Sequence, residues 1–416
     1  MKREKNNSTT NQNSIGEKKI YSKSDRAITL IALIVTIIVL LILAGVTINV
    51  VVGKGGVINK SKFAVNKYKK SEDEEVETIK DLENVIGNFI DVKSGEYASN
   101  TTKYSDGTSV ATIPAGFTVS GFEDENKINS GLVIYKGDLS KANWKTGKDE
   151  SGNDIKRTYN QYVWIPCTEE EYKRTECGVE TDNGSRASKD ETTLGSVTLS
   201  DYDKGNGITN DTLNEIVKQI SSEKNSVKKY SGFYIGRYEV GVGNVIAQYK
   251  EPSANLKWSA AYTNAKKIDV GSASVSYLSS SYARDTALNF IQNNSEFKTY
   301  ASSRNNGSNG ADINENWQDK SVKYTDADGN PQTKAAGTAT RLQTGVTTAK
   351  CNIYDMGGNV AEFTTELNPL TNGDNDATVV LRGGFYNTVL PAGNRLDDNS
   401  AGCISSRGFR ATLFIQ

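Results

Sequence analysis

Histidine is absent from this 416-residue chain, so no imidazole is available to hold a metal ion. Cysteine is scarce. Cys167, Cys177, Cys351 and Cys403 stand in no CxxC or Cys/His spacing, which gives no zinc site. Their pairing is open: Cys167–Cys177 is the most local disulfide candidate in an exported domain, with free buried thiols as the alternative. An excess of charge of one sign is lacking too. With 49 basic and 50 acidic residues the net charge is −1, which gives no electrostatic case for binding nucleic acid. No internal repeat is evident.

What is present begins with length, which exceeds the usual single domain and predicts a large domain with appended segments. Aromatic residues are weighted to 20 Tyr, and Asn, Ser, Thr and Gly are abundant between short apolar runs. That texture suits a loop-rich extracellular domain better than a helical cytosolic enzyme.

One run is long and uncharged: AITLIALIVTIIVLLILAGVTINVVVG, Ala27 to Gly53. A single helix needs about 20 such residues to span a bilayer. Lys18, Lys19, Lys23 and Arg26 precede it and Lys54 is the first charge after it. The positive-inside rule then places the N-terminal residues in the cytoplasm and the remainder outside. The run is too long for a signal peptide and lacks a small-x-small cleavage site. Beyond it, Val65, Tyr68, Val76, Ile79, Leu82, Val85, Ile86 and Phe89 recur at spacings of three and four, which predicts a stalk helix.

The stretch DRAITLIALIVTIIVLLILAGVTI resembles a clostridial prepilin-type N-terminal segment. The resemblance implies processing between Ala27 and Ile28 and packing against other pilin subunits. Ala32 replaces the acidic residue of typical major pilins, which argues against a main filament. A minor or tip pilin, or a plain membrane anchor, stays open. The expected organisation is a cytoplasmic leader over 1–27, a pilin-like transmembrane helix over 28–53, a stalk helix over 54–93 and a ligand-binding domain over 94–416.

From about Ser94 the pattern changes to short strands and turns. ATIPAGFTVSG, GLVIYKG, YNQYVWIPC and SGFYIGRYEV read as strands. Residues 168–230, charged and rich in Gly, Ser and Asn, read as an insertion or surface excursion. KWSAAYTNAKKI and YARDTALNFIQN read as helices. Trp258, Ala261, Tyr262 and Ala265 share a face of the first, and Ala283, Ala287, Phe290 and Ile291 share a face of the second. TVVLRGG is strand-like. GFRATLFIQ alternates, with Phe409, Ala411, Leu413 and Ile415 on one side and Arg410, Thr412 and Phe414 on the other. Between Gly384 and Ser406 no period is sustained. This segment holds Phe385, Tyr386, Leu390 and Leu396 beside Asn387, Asn394, Arg395, Asp397 and Asp398, a mix that suits recognition. A structural loop whose polar residues cap turns is the alternative.

The order YVWIPC, FYIGRYEV, NIYDMGGNVAEF, LRGG and GFR resembles the formylglycine-generating enzyme (sulfatase-modifying factor) family over roughly residues 105–416. The resemblance implies an α+β fold related to C-type lectins. In that family, oxidases hold copper with two cysteines between RGG and GFR, and relatives that join sulfur to histidine derivatives hold iron with three histidines. Here that interval contains only Cys403, and histidine is absent, so neither copper nor iron is expected and the domain reads as catalytically inactive. Family domains often bind structural Ca²⁺ through the motif at Asn352–Phe363. Carried over, its ligands are the Asp355 and Glu362 carboxylates and the Gly358 and Val360 carbonyls, with turn capping by the two acids as the alternative. The same fold serves variable proteins of diversity-generating retroelements, in which the segment between RGG and GFR is rewritten at adenine positions. Its Asn, Asp, Ser and Tyr content fits that origin, while Val389, Leu390, Pro391 and Leu396 fit less well.

The chain is therefore expected to be a surface-anchored, pilin-like adhesin that binds an extracellular protein or glycan through the 384–406 segment. Two competing expectations are an extracellular metalloenzyme with a non-standard site, using Cys403, Arg395 or the Asp397–Asp398 pair, and a purely structural minor pilin.

Overall fold

The computed structural model describes residues 32–42, 92–175, 188–302, 316–368, 379–388, 390–398, 400–401 and 403–416. The chain divides into two units, Met1–Gly87 and Asn88–Gln416. In the first, residues 32–42 are helical with Leu33, Leu40 and Leu41 exposed. Among the described residues no helix is long and apolar enough to cross a membrane. The rest of the expected 28–53 span, the processing pair Ala27–Ile28 and nearly all of the 54–93 stalk lie outside the described residues.

The second unit is a mixed α+β domain dominated by sheet. Its strands are β1 (Tyr97–Ala98), β2 (Thr102–Ser105), β3 (Val110–Ile113), β4 (Phe117–Val119), β5 (Val133–Lys136), β6 (Gln161–Pro166), β7 (Gly232–Gly236), β8 (Ser274–Leu278), β9 (Val322–Thr325), β10 (Pro331–Lys334), β11 (Ala361–Leu367), β12 (Val379–Arg382), β13 (Arg395–Asp398), β14 (Arg407–Phe409) and β15 (Ala411–Ile415). The helices are α1 (Ile155–Thr158), α2 (Asp201–Gly205), α3 (Asn210–Tyr230), α4 (Trp258–Lys266) and α5 (Ser281–Asn293). A seven-stranded sheet runs β1-β4-β5-β6-β7-β15-β8, and a four-stranded sheet runs β13-β12-β11-β14. The main sheet is antiparallel throughout. In the smaller sheet β11 pairs parallel with β14.

The alternation in GFRATLFIQ is realised on both sides of the main sheet. Phe409, Ala411, Leu413 and Ile415 join a core with Trp164, Tyr234 and Trp258, while Phe414 joins a second core with Tyr172 and Phe233. Both faces are covered, which is why β6 and β7 are almost continuously apolar in sequence. Arg410 falls between β14 and β15, where the chain passes from the small sheet to the large one. Helix α4 lies where its Trp258 predicts: buried, with Nε1 donating to the Thr364 carbonyl of β11 at 2.7 Å.

Residues 188–230 correct the expectation of a surface excursion. Helix α3 is 21 residues long and buries Leu213, Ile216, Ile220 and Val227 along one stripe. Thr209 caps it by accepting from Thr212 N at 3.1 Å, and Thr212 Oγ1 accepts from Thr209 N in return. The exposed Lys218, Lys228 and Lys229 on the other side are what give the segment its solvated texture.

Candidate functional site

The motif at Asn352–Phe363 winds tightly, with Cys351, Asn352, Asp355 and Asn359 at φ of 49°, 61°, 58° and 62°. Asn and Asp accept that conformation because their side chains bond to nearby backbone. Asn352 Nδ2 donates to the carbonyls of Asp124 at 3.0 Å and Gly131 at 2.8 Å. Asn359, 1% exposed, is a junction. Its Oδ1 accepts from Asn316 Nδ2 and from Leu342 N, both at 2.8 Å; its Nδ2 donates to Glu239 at 2.7 Å; its carbonyl accepts from Tyr386 N at 3.0 Å. One amide thus ties the motif to the 384–406 segment.

Glu362 is not placed as a metal ligand. Its Oε1 accepts from Arg410 Nε at 2.8 Å and its Oε2 is held by the Arg284 guanidinium, with all three side chains buried. A calcium ion on this carboxylate would have to displace two guanidiniums in a low-dielectric interior, so the set Asp355, Gly358, Val360 and Glu362 does not fit Ca²⁺ here. Asp355 accepts from Thr347 Oγ1 at 2.7 Å. Burial, with the Asp355 charge adding to it and Arg410 opposing, holds the Glu239 carboxyl well above its usual range. Among the described residues no group of three or more His, Cys, Asp or Glu could hold a metal ion.

The segment between RGG and GFR is not one irregular loop. Arg395–Asp398 form β13, paired to β12 with Arg395 directly opposite Arg382. Like charges so placed repel unless anions stand between them. Asp285 of α5 and Glu366 of β11 do so. Arg382 donates to Glu366 Oε1 at 2.6 Å and to Asp285 Oδ1 at 2.5 Å, while Arg395 donates to Glu366 Oε2 at 2.7 Å and to Asp285 Oδ2 at 2.6 Å. The four side chains form a closed ring and are at most 3% exposed. Ser188 Oγ and Thr175 N donate to the same acids from outside it, at 2.7 and 2.9 Å. Burial raises the Glu366 carboxyl, but Arg382 and Arg395 overcome this and leave it well below its usual range. Gly383 makes the preceding turn possible: its φ is +74°, and a Cβ there would lie 2.5 Å from the Met356 carbonyl oxygen.

Of the nine residues expected to recognise a ligand, Asn394, Arg395 and Asp398 are therefore buried, the last paired with Arg407. Phe385, Tyr386, Leu390, Leu396 and Asp397 are half-buried, with Phe385 and Leu396 packed on the core and Asp397 accepting from Asn368 Nδ2 at 3.1 Å. Asn387 is exposed.

The structure brings other side chains beside these that the sequence pattern did not single out. Tyr386 Oη lies 3.4 Å from Ser405 Oγ, and the Ser405 carbonyl accepts from Arg341 at 2.8 Å. Arg341 Nε also donates to Glu251 at 2.5 Å, whose carbonyl accepts from Val242 N. Val242 and Ile404, 63% and 46% exposed, are two of three exposed large aliphatic side chains among the described residues of this unit. Cys403 is exposed and free, whereas Cys167 and Cys351 are free and buried, burial pushing their thiols up to about 12 and about 11. Cys177 lies outside the described residues.

Fold and site together define a sheet-dominated α+β domain with a closed, buried charge network. No family model matches the chain, and no curated protein matches it. Among solved structures it is similar to the crystal structure of CarF, at 15% identity over 45% of this chain and 88% of that one, with a TM-score of 0.30. It is also similar to Treponema denticola variable protein 1, at 14% identity over 76% of this chain and 99% of that one, with a TM-score of 0.21. Both likenesses are loose and add nothing about what the domain binds or does.

Proposed function

We propose that residues 94–416 are a non-catalytic, lectin-like binding domain, displayed at the cell surface by the N-terminal segment and recognising an extracellular protein or glycan. The binding surface is centred on Tyr386, Asn387, Ile404 and Ser405, with Arg341 and Val242 at its border. One observation supports this above others. Arg395 and Asp398, which chemistry would need free, are buried in ion pairs, while an aromatic ring, an amide, hydroxyls and two exposed aliphatics remain outside. Such a surface offers contact area at low entropic cost and adaptable hydrogen bonds. Diversification of codons 382–410 by a retroelement belongs to the same proposal, and a near-copy of them beside a reverse transcriptase gene is its test.

The full-length chain, applied to glycan and extracellular-protein arrays, is expected to bind a restricted set. Tyr386→Ala, Asn387→Ala and Ile404→Ser together should weaken that binding at least about tenfold, with the urea midpoint unchanged. Binding that survives all three substitutions sinks the assignment of the surface.

A further inference from the structure

A cleft of about 280 Å³ lies among Phe122, Lys145, Asp154, Arg157, Gln248 and Tyr249. Its charge is unbalanced. Asp154 is its one carboxylate, against Lys145, Lys156 and Arg157. Asp154 is also shared with Lys148 at 3.7 Å and lies 3.8 Å from Arg157 Nε, beyond hydrogen-bonding distance. Lys156 is held by Glu125 at 2.6 Å and sits 4.4 Å over the Phe122 ring. Lys145 makes no ion pair among the described residues.

Two features show preparation for a ligand. The Arg157 guanidinium carbon lies 4.9 Å from the centroid of the Tyr249 ring, within cation–π reach, and its two terminal nitrogens stay unbonded to protein among the described residues. Tyr249 itself has φ of +61°, a conformation bulky side chains rarely adopt. It is held there by its own N–H to Thr344 O at 2.8 Å and by the Lys250 N–H to Thr344 Oγ1 at 2.9 Å. Strain of this kind, held here by two hydrogen bonds to Thr344, collects at ligand clamps. Gln248 is tied by Nε2 to the Gly345 carbonyl at 2.9 Å, which leaves its amide oxygen to accept.

We propose that this cleft binds a sugar ring that carries a carboxylate, such as a uronate unit of an acidic polysaccharide. A planar guanidinium held against an aromatic ring, with free terminal N–H groups, matches a planar carboxylate at two points, and Lys145 adds the second charge. The Tyr249 hydroxyl and Gln248 amide oxygen face ring hydroxyls. The volume, near the lower end of small-molecule sites at roughly 300 Å³, suits one ring. The assignment stands apart from the Tyr386 surface and does not rest on it.

The full-length chain is titrated calorimetrically with a galacturonate trimer, the neutral galactose trimer, a sulfated oligosaccharide and inorganic sulfate. The uronate is expected to bind at least about tenfold more tightly than the other three, and less tightly as salt rises. Arg157→Lys and Lys145→Gln, both at partly or fully exposed positions, should each weaken it about tenfold or more while leaving the unfolding midpoint in place. Absence of uronate binding overturns the proposal, as does equal binding of the neutral trimer. Preference for the sulfated ligand or inorganic sulfate overturns the carboxylate assignment. Uronate binding untouched by both substitutions overturns the site.

Discussion

Replacing Arg395 by Met tests whether this residue is an anchor or a contact. The substitution keeps much of the side-chain volume and removes two charged hydrogen bonds, at 2.7 Å to Glu366 and 2.6 Å to Asp285. Breaking a buried ion pair from one side costs about 3–5 kcal/mol, because the remaining charges stay buried without their partner. Here each orphaned oxygen keeps a neutral donor, Ser188 Oγ or Thr175 N, and Arg382 still holds the other oxygen of each acid. The cost should therefore fall at the low end, about 3 kcal/mol. With a urea slope of about 3 kcal/mol per molar for a domain of this size, the midpoint moves down by about 1 M. A second signature lies in acid. Glu366 is depressed in the fold, so its contribution is present above the ordinary carboxylate range and lost as pH falls through its folded value. Without Arg395 the folded value rises, so this acid loss is smaller and is complete at a higher pH. Adding Glu366→Gln to Arg395→Met should recover part of the stability. Asn387→Ala, at an exposed position, should stay within about 0.5 kcal/mol of wild type. If Arg395→Met matched it across the acid and neutral range, the ring would be refuted.

The same interior predicts a decline in stability toward neutral pH. Burial raises the Glu191 and Glu223 carboxyls from 4.5 to about 7, the Glu366 charge adding to the first and the Glu191 charge to the second. The folded chain holds more protons than the unfolded one between these values, so stability falls as pH rises from 4.5 to about 7 and levels off above. Urea melts of Glu223→Gln should show a flatter profile over this range. Burial also raises Glu125, but Arg237 and Lys156 bring it to about 2, so stability falls again as pH drops below 4.5. A profile rising from pH 5 to 8 contradicts these environments. Gly383→Ala should cost at least about 1–3 kcal/mol from backbone strain alone, and a neutral outcome would place the turn differently. Millimolar calcium should change the unfolding free energy by less than about 0.5 kcal/mol, because Arg284 and Arg410 already hold Glu362. Stoichiometric stabilisation by calcium would release Glu362 from that arrangement.

Periodicity revealed what depends on neighbours in sequence. The strands at 161–166, 232–236 and 411–415, and the helices beginning at Trp258 and Ser281, are apolar at the spacing their folds require. Helix α3 was hidden because its exposed lysines outweigh a four-residue apolar stripe, although the Thr209–Thr212 cap was there to be read. Arg395 was misplaced for a different reason. Charged residues in a short, aperiodic stretch read as solvated, and its partners Glu366 and Asp285 stand 29 and 110 positions away. No local pattern encodes a charge ring closed by β12, β13, β11 and α5. Tyr386, Asn387, Ile404 and Ser405 all fall inside the 384–406 segment marked by the sequence, whereas Val242 and Arg341 are distant in sequence and reach it through tertiary hydrogen bonds.

Strand β15 has a consequence for how the chain is made. It lies between β7 and β8 and supplies the backbone partners of both, from Thr412 opposite Ile235 to Ile415 opposite Ser274. During synthesis β7 and β8 emerge long before residues 411–415 and have no common neighbour until those residues leave the ribosome. The main sheet then closes in one late step. Until it does, any chaperone, protease or secretion channel meets a chain with open strand edges instead of a finished domain.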